Sequence, residues 1–500
     1  MSCTGCYVVT DFGAVNDGKT LNTKAVQAAI DAAGKTGGEV IVPPGTFMIG
    51  TIFMRSGVIL TLQAGAILLG SPRIEDYIAV KWGHHMDRTP WHLIVAQGCK
   101  DITIRGPGCI DGNGVNFWDQ DRPSQFVFYN HGWHRPSPMV EIERCEDVRI
   151  QDVFLTGSAG WTLHLWDCTR SWVRGVKIQN TLYGPNTDGI DASGCHDLII
   201  SDCHISTGDD AIALKSSVDS RDCRDITITN CILETSCVAV RIGYESRHDF
   251  RNITITNIVV KNCTRILDLR SLDGAVIENI FMSNVVAQTN RGWPFNRPIE
   301  MYVDHLDGKY DVVPEHPNHG WPFPKPPVGA IRNVTLRDMD ILTDGRILLG
   351  AAKPEFEVSH IRMENIRLRY AMLDDPSIIG PKAMNVSFRP GSPEMRAKCA
   401  ALCVENIRDF VLRDFSVTWP TYPVTDSWRM LTDPNRFCNK PYYDGNEEKI
   451  RTGAMRPSFN AIWARNVQGG ELDLRGLTAS EPNAVACDLA NINARVIRDV

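Results

Sequence analysis

The stretch CHDLIISDCHISTGDDAIALKSSVDSRDCRDITITNC (195–231) contains one short pattern twice. In both HDLIISDC (196–203) and RDITITNC (224–231), an Asp is followed by alternating apolar residues and then by a Cys. Alternation with a period of two is typical of a β-strand that has one buried face. The repeat therefore predicts stacked strands rather than helical repeats, which would require a 3.6-residue period.

The same pattern continues outward in both directions, from about residue 58 to the end of the chain. It recurs in KDITIRG (100–106), RNITITNI (251–258) and ENIRLRY (364–370), and the Cys slots from Cys145 to Cys223 are spaced by 23, 27 and 28 residues. A period in the twenties with strand alternation indicates a β-solenoid with one coil per repeat. An ordinary β-sandwich has no such recurring slot chemistry. We predict an all-β, right-handed parallel β-helix that forms one domain over residues 1–500.

The two kinds of segment that depart from the repeat are a cap and several insertions. Residues 1–57 read as a short N-terminal cap in which Asn22 begins a helix that ends near Ala33, and the coils then occupy 58–500. Long irregular insertions are expected at about 290–328, 371–400 and 420–460. The first contains Trp293 and Trp321, whose rings either stack on a substrate or anchor the loop.

Bulk composition excludes several classes of protein. The chain is 43% hydrophobic and 22% charged with a net charge of −7, and no block of Lys or Arg supplies a surface for nucleic acid. No apolar stretch reaches the roughly 18–20 residues that cross a membrane. The N-terminus MSCTGCYVVTDFGAV lacks a basic start followed by an apolar run, so a cytoplasmic protein is expected unless a signal was removed. The oligomeric state is left open.

Eight of the sixteen cysteines occupy two repeated slots rather than scattered positions. Residues in one slot of a solenoid stack on each other, and a free Cys behaves as a small buried hydrophobe. A ladder of thiols in a reducing compartment is therefore preferred over a disulfide framework. The first slot, ahead of a strand, contains Cys99, Cys145, Cys168, Cys195 and Cys223. The second slot, after a strand, contains Cys203, Cys231 and Cys263.

The densest candidate site contains three aspartates. Asp188 lies 21 residues before Asp209 and 22 before Asp210, which is about one coil. Strands on adjacent coils are ~4.8 Å apart, so these carboxylates can meet on one face. Crowding then raises the pKa of at least one of them, and a protonated acid beside an ionised base suits glycoside hydrolysis. The alternative is that they only form turns.

Neighbouring residues of a regular strand point to opposite faces, which is a difficulty for Asp209 and Asp210. Gly208 precedes them and permits a bulge or turn. We therefore expect the pair at a strand edge. By contrast, Asp147, Asp197 and Asp225 occupy the repeated Asp slot and are expected to be structural.

Several motifs carry a family resemblance. NTDGID (186–191) with GDDAIALKS (208–216) resembles the paired aspartate motifs of glycoside hydrolase family 28, the polygalacturonase family, and so do YVVTDFGAV (7–15), IVPPGTF (41–47), IDGNG (110–114) and WTLHLWDC (161–168). The resemblance spans roughly residues 7–290. It implies a β-helix and an inverting hydrolysis, here of a pectic or related oligosaccharide. Exo action is expected because the aromatic insertion at 290–328 would close one end of a groove and because polymers do not enter cells. No cofactor or metal is expected, since the sequence has no phosphate-binding loop and no set of four zinc ligands. The resemblance further implies that Asp209 is the general acid and that Asp188 and Asp210 activate water.

Two departures concern the substrate subsite. In CVAVRIGYES (237–246), Val238 stands where the family pattern has a His, and RILDLRS (265–271) lacks the Lys of the family's Arg-Ile-Lys motif. Arg270 or Arg265 would then substitute for that Lys. Arg241 and Glu245 are additional polar candidates for contacting the substrate.

Two further residues are ambiguous. Lys215 follows the Asp pair and either contacts substrate oxygens or lies at a solvated edge. His164 alternates with apolar neighbours and is either a half-buried structural residue or a substrate ligand. A β-helix also accommodates lyases, epimerases, glycosyl transferases and non-catalytic carbohydrate-binding proteins, so these functions remain alternatives.

Overall fold

A computed structural model describes residues 5–80, 88–123, 129–132, 134–289, 296–305, 327–373, 391–423, 447–454 and 456–499. The chain divides into two compact units. Among the described residues, unit 1 extends from residue 5 to Ile232, and unit 2 extends from Leu233 to residue 499. The prediction of one domain over 1–500 stays a prediction.

The strands of unit 1 are short, mostly three to six residues each. They are β1 Cys6–Val8, β2 Asp17–Leu21, β3 Gly38–Val42, β4 Gly45–Ile49, β5 Ile52–Phe53, β6 Val58–Leu62, β7 Ala66–Gly70, β8 Ile94–Gln97, β9 Lys100–Arg105, β10 Cys109–Asp111, β11 Trp118–Pro123, β12 Tyr129–His131, β13 Val140–Glu143, β14 Glu146–Gln151, β15 Phe154–Thr156, β16 Leu163–Trp166, β17 Thr169–Arg174, β18 Lys177–Gln179, β19 Ile190–Ser193, β20 His196–Ser201, β21 His204–Thr207, β22 Ile212–Ser216 and β23 Cys223–Thr229.

The strands of unit 2 are longer. After β24 Ile232–Thr235 they are β25 Val238–Ser246, β26 Phe250–Cys263, β27 Arg265–Ser271, β28 Val276–Thr289, β29 Ile299–Val303, β30 Ala330–Thr343, β31 Ile347–Ala351, β32 Glu357–Tyr370, β33 Ala400–Thr418, β34 Asn460–Asp473 and β35 Cys487–Ile497. Helices in the described residues are α1 Thr23–Ala33, α2 Pro393–Ala397 and α3 Glu447–Arg451, with 3-10 turns at Val9–Phe12, Ile74–Asp76 and Gly114–Phe117. None of these helices combines the length and apolar character needed to cross a membrane.

Unit 1 is a stack of coils whose equivalent strands pair in parallel. One ladder runs through β8, β13, β16, β19 and β22, a second through β9, β14, β17, β20 and β23, and a third through β10, β15, β18 and β21. Inward-facing residues stack in columns, so that Ile142, Leu165, Ala192 and Leu214 form one buried row. Parallel ladders that repeat once per coil define a parallel β-helix.

The repeated Asp slot is structural, as predicted. Asp147, Asp197 and Asp225 have φ of 55°, 54° and 59°, in the left-handed region that Asp and Asn tolerate better than other non-glycine residues. The strand register omits each of them, because Glu146 pairs with Thr169 and Val148 pairs with Ser171. The slot therefore turns the chain at the start of each strand of the second ladder.

The thiol ladder is also confirmed. Every cysteine in the described part of the chain is free. The Cys99 amide donates to Cys145 Sγ at 3.3 Å, and the Cys168 thiol contacts the thiols of Cys145 and Cys195. Burial raises the pKa of the Cys168 thiol, so this group stays neutral and packs as a small hydrophobe.

Unit 2 has the same parallel strand pattern, but most of its strands are longer. β26, β28, β30 and β32 each have 14 residues and pair in parallel, with one shift of register between Val260 and Cys263 of β26. Asn252 and Asn279 lie in the left-handed region, and the Asn279 amide donates to Asn252 Oδ1 at 3.0 Å. Asn333 extends this row, since its amide donates to Asn279 Oδ1 at 3.3 Å. The Asn row replaces the Asp slot as the turning element.

The N-terminal prediction is partly wrong. Helix α1 begins after Asn22 as expected, but the Asn22 amide bonds the backbone of Val15 and Thr20 rather than the helix. The stretch GGEVIVPPGTF (37–47) has the alternation of a buried strand, and β3 forms there and pairs with β6 and β1. The short strand CYV (6–8) gives too little alternation to identify from sequence.

The predicted insertions are interrupted by regular structure. β29 lies inside 290–328, α2 inside 371–400 and α3 inside 420–460. The sequence IEMYV of β29 has the alternation of a coil strand, which the surrounding Pro-rich sequence obscures. Trp293 and Trp321 lie outside the described residues.

Candidate functional site

The turn that carries Asp188 is held by a buried arginine. Arg135 Nη1 donates to the carbonyls of Ala159 and Pro185 at 2.9 and 2.8 Å, and Nη2 donates to Asn186 Oδ1 at 2.9 Å. Asn186 has a φ of 51°, so the turn is in a conformation that Asn tolerates. Arg135 thus fixes the first residue of the NTD motif, two positions before Asp188.

Register brings Asp188 beside the Asp pair. The Gly189 amide donates to the Asp210 carbonyl at 2.8 Å, and the Ile190 amide donates to the Ala211 carbonyl at 3.0 Å. Asp188 and Asp210 therefore occupy equivalent positions on adjacent coils, immediately before β19 and β22. The structure thus brings the three predicted aspartates together.

The Asp209–Asp210 pair lies in the turn before β22, at a strand edge as predicted. Carboxylate oxygens of the two residues approach within 4.8 Å, and the Asp210 amide donates to Asp209 Oδ1 at 3.0 Å. The reason for Gly208 differs from the expected bulge. A Cβ at that position would lie 2.4 Å from the Gly184 carbonyl oxygen and 2.6 Å from Thr187 Oγ1, so Gly permits a close approach to the neighbouring turn.

Asp188 is 3% exposed and sits among like charges. Burial raises its pKa well above the ordinary range; Lys215 opposes this, whereas Asp191, Asp209 and Asp210 add to it. The expected rise in pKa within the cluster is therefore confirmed for Asp188. Its Oδ1 accepts no hydrogen bond from a residue in the described ranges.

Lys215 is buried beneath these carboxylates rather than solvated at an edge. It is 4% exposed, and its Nζ lies 3.3 Å from Asp188 Oδ2 and 3.0 Å from Asp191 Oδ1. The same ammonium lies 3.7 Å from the centroid of the Trp161 ring. A desolvated cation over an aromatic face is stabilised by about 2 kcal/mol.

A column of ionisable side chains continues from this group. Glu141, His164 and Asp191 are in register on β13, β16 and β19. His164 Nδ1 lies 2.9 Å from Glu141 Oε2, and Nε2 lies 3.0 Å from Ser193 Oγ. His164 is 1% exposed with both ring nitrogens bonded, which favours its structural interpretation, and its predicted contact with substrate stays a prediction.

The far end of the column is closed by Arg88. Its Nη2 lies 3.0 Å from Glu141 Oε1, and its guanidinium stacks 4.1 Å from the Trp166 ring centroid. Burial works to raise the pKa of Glu141, but Arg88 and His164 outweigh it and lower that pKa to about 2. Burial raises the pKa of Asp191 to about 6 against the opposing effect of Lys215.

Unit 2 contains its own buried charge cluster, defined as Arg241, Arg265, Arg270 and Arg297 with Asp268 and Glu300. Arg241 Nη1 lies 2.6 Å from Asp268 Oδ2, and Arg297 Nη1 lies 2.6 Å from Glu300 Oε2. Arg270 bridges Asp268, at 3.2 Å from Nε to Oδ1, and Glu300. Arg265 Nη1 lies 3.4 Å from Asp268 Oδ2. Burial works to raise the pKa of Asp268, but these arginines lower it below its usual range.

The predicted substrate ligands of unit 2 therefore have different surroundings. Arg241 and Arg270 belong to the arginine cluster, at 6% and 2% exposure. Glu245 is also buried, and its Oε2 has no hydrogen-bond partner among the residues described. Their contact with substrate stays a prediction.

Sequence reasoning missed Arg88, Arg135, Glu141, Asp191 and Trp161. A signal for three column members was present. Glu141, His164 and Asp191 each stand four residues before a slot cysteine, namely Cys145, Cys168 and Cys195. Aligning the coils on those cysteines places the three side chains in one column. The two arginines lie outside the repeat, so no spacing identifies them.

The fold and the site define a class of protein. It is a parallel β-helix in which carboxylates from adjacent coils cluster just before paired strands of one ladder. The sequence model of glycosyl hydrolases family 28 matches residues 40–289, half of the chain, and the chain belongs to this family.

Individual relatives agree with that assignment. A probable polygalacturonase of Vitis vinifera is 28% identical over 61% of this chain and 64% of its own length. An exo-poly-alpha-D-galacturonosidase of Dickeya chrysanthemi is 28% identical over 41% of each chain. The chain thus spans less than two thirds of either relative.

A solved structure supports the fold. The family 28 exopolygalacturonase of Yersinia enterocolitica superposes with a TM-score of 0.64 at 20% identity, over 83% of this chain and 75% of that chain. The predicted right-handed parallel β-helix is confirmed.

Proposed function

We propose that the chain is a glycoside hydrolase that cleaves pectic or related oligosaccharides by inverting acid/base hydrolysis. The observation that carries the proposal is the meeting of Asp188 with Asp209 and Asp210 across adjacent coils, set by the Gly189 amide on the Asp210 carbonyl. Inverting glycosidases need one carboxyl group that protonates the leaving oxygen and another that activates water. By analogy with the family, Asp209 is the acid, and Asp188 and Asp210 position the water.

The family supports the reaction, and the printed names of the relatives support pectic sugars. The expectation that Arg270 or Arg265 substitutes for the Lys absent from RILDLRS, with Arg241 and Glu245 as additional polar candidates, is part of the proposal. We include exo action in the proposal, since one relative is named as an exo-acting enzyme.

A reducing, cytoplasmic compartment is also part of the proposal. It is supported by the free, stacked cysteines, which would be exposed to oxidation elsewhere. Subcellular fractionation of the source cells tests it: the chain should separate with cytoplasmic markers. Recovery in the medium or an oxidising compartment would contradict this part.

The activity is tested by incubating the protein with acidic and neutral oligosaccharides and separating the products by chromatography. New reducing ends and terminal monosaccharide or disaccharide products are expected from acidic pectic substrates. Long internal fragments from a polymer would refute exo action, and an unsaturated product absorbing in the ultraviolet would indicate a lyase.

The site is tested by Asp209→Asn, with Asp197→Asn as the matched control. Asp197 is a slot residue on β20 whose left-handed backbone Asn also tolerates. Loss of a general acid lowers turnover by roughly 10²–10⁴-fold. Asp209→Asn should do so with an unchanged circular dichroism spectrum, whereas the control should retain activity. An active Asp209→Asn protein would exclude the assignment.

A further inference from the structure

The ammonium of Lys215 is buried among protein groups, unlike that of a surface lysine or of a lysine that faces a substrate. Its ammonium is shared by two buried carboxylates, at 3.3 Å from Asp188 and 3.0 Å from Asp191, and it packs on the face of Trp161. Its side chain is 5% exposed, so the charge is removed from water on every side that the structure describes. Such burial is costly unless the ammonium neutralises a partner of matching charge.

The partner that needs this charge is Asp188. The carboxylate faces Asp191 from β19 and Asp209 and Asp210 from the turn before β22, all of which repel its negative charge. Lys215 on β22 is the cation that opposes them. Without a cation, a carboxyl group buried among carboxyls takes a proton and loses its ability to accept one.

We propose that Lys215 is a positioning residue that orients Asp188 and favours its ionised, basic form against the opposing effect of burial, and that Asp191 and Trp161 hold Lys215 in place. Lys215 then acts through Asp188 and does not contact the substrate. This inference rests on the proposed hydrolase function.

The order of the contacts explains how the lysine is held. Asp191 is in register with His164, which is fixed between Glu141 and Ser193. The Asp191 backbone is therefore set by the ladder, and its carboxylate anchors the ammonium from one side. The Trp161 ring closes another side and prevents the side chain from turning away.

Lys215→Met keeps much of the side-chain volume and removes the charge. The pKa of Asp188 should rise by at least about one unit, because an opposite charge at this distance is worth 1–3 units. The acidic limb of the kcat profile then moves to higher pH, and kcat below that limb falls about tenfold for each unit. KM should change less than about threefold, since no substrate contact is lost.

Asp191→Asn should shift the limb in the opposite direction. It removes a negative charge that repels Asp188 and leaves the ammonium to Asp188 alone. The acidic limb should therefore move to lower pH. Lys215→Arg retains the charge and should restore the limb of the wild-type protein at least in part. Opposite shifts from two residues in contact are not expected from a general loss of structure.

Lys177→Met is the matched control. Lys177 lies on β18 in the same unit, with its ammonium 4.7 Å from the Phe154 ring centroid, and β18 belongs to the third ladder rather than to the ladder of β19 and β22. Its pH profile should match the wild-type profile.

The experiment measures kcat and KM against pH for the wild-type protein and the four variants, on an oligosaccharide that the wild-type protein hydrolyses. A raised KM with unchanged kcat and limb in Lys215→Met would overturn the proposal and identify a substrate ligand. Limbs of Lys215→Met and Asp191→Asn that move together or not at all would also overturn it. Absence of hydrolysis by the wild-type protein refutes the proposed function instead, and the two failures are therefore distinct.

Discussion

Replacing Arg135 with Met tests how the NTD turn is built. The substitution removes three hydrogen bonds, to the carbonyls of Ala159 and Pro185 and to the Asn186 amide oxygen, all 2.8–2.9 Å long. Arg135 is fully buried, so water does not replace these partners. Hydrogen bonds to a charged donor are worth about 1.5–3 kcal/mol each. The Pro185 carbonyl and the Asn186 amide oxygen lose this donor, whereas the Ala159 carbonyl still accepts from the Trp118 indole. Allowing for partial relaxation, the free energy of unfolding should fall by about 3–5 kcal/mol.

Urea titration monitored by tryptophan fluorescence measures this change, because Trp161 is buried in the same unit. Arg174→Met is the control: its side chain is 70% exposed, and its 3.2 Å contact with Asp202 is an exposed ion pair. Exposed pairs contribute about 0–1 kcal/mol. A loss below about 1 kcal/mol for Arg135→Met, or equal losses for both variants, would refute the reasoning.

The turn also positions chemistry, so the same variant should lose activity. Asn186 lies two residues before Asp188, and a misplacement of about 1 Å in a catalytic group costs roughly 10²-fold in rate. Arg135→Met assayed well below its unfolding transition should show that loss in kcat. Full activity in a destabilised protein would separate the stability of the turn from the site.

Three other substitutions probe separate features. Gly208→Ala places a Cβ 2.4 Å from the Gly184 carbonyl oxygen, so we expect about 1–3 kcal/mol of destabilisation and a reduced kcat, and an unaffected protein would exclude the close-approach explanation. Asn279→Ala removes the polar side chain that lets Asn tolerate φ 58°, and it interrupts the Asn row. Urea titration should show a loss of about 1–2 kcal/mol, smaller for Asn279→Gly because Gly has no β-carbon, and equal losses would contradict the backbone explanation. Burial lowers the pKa of His92 to about 4 from its usual 6.5. As pH falls from 6.5 to 4, the His92 imidazole is protonated in the unfolded chain but not in the folded chain, and the folded state therefore loses stability. Asp191 has the opposite effect in part of this pH range, since its raised pKa of about 6 favours the folded state at low pH. The prediction therefore compares the slope of stability against pH in two proteins. Stability should fall less steeply over this range in His92→Gln than in the wild-type protein, and identical slopes would contradict the prediction.

The fold could be predicted from the repeat, because each coil contains the same sequence pattern of strand and turn residues. Asp147, Asp197 and Asp225 mark the turns, and the cysteines mark the buried column, so any two coils suffice to predict a parallel ladder. The fused strands of unit 2 follow the same alternation with Asn in place of Asp. The termini are harder to predict. Strand β1 has only three residues, and helix α1 lies between β1 and its partner β3 in the sequence.

The three aspartates could be predicted because their spacing is about one coil. Their surroundings could not, since those depend on contacts between residues far apart in sequence. Arg135 reaches Asn186 across 51 residues, and Arg88 reaches Glu141 across 53. The burial of Lys215 depends on Trp161, 54 positions earlier, and the sequence around the lysine reads equally well as a strand edge.

The anomeric configuration of the first product tests the central claim most directly. The wild-type protein is mixed with an acidic pectic oligosaccharide of defined linkage, and the first product is followed by proton NMR before the anomers equilibrate. Attack by a water activated beside Asp188 and Asp210, with protonation of the leaving oxygen by Asp209, predicts a product of inverted configuration. A product that retains the configuration of the cleaved bond would contradict the account.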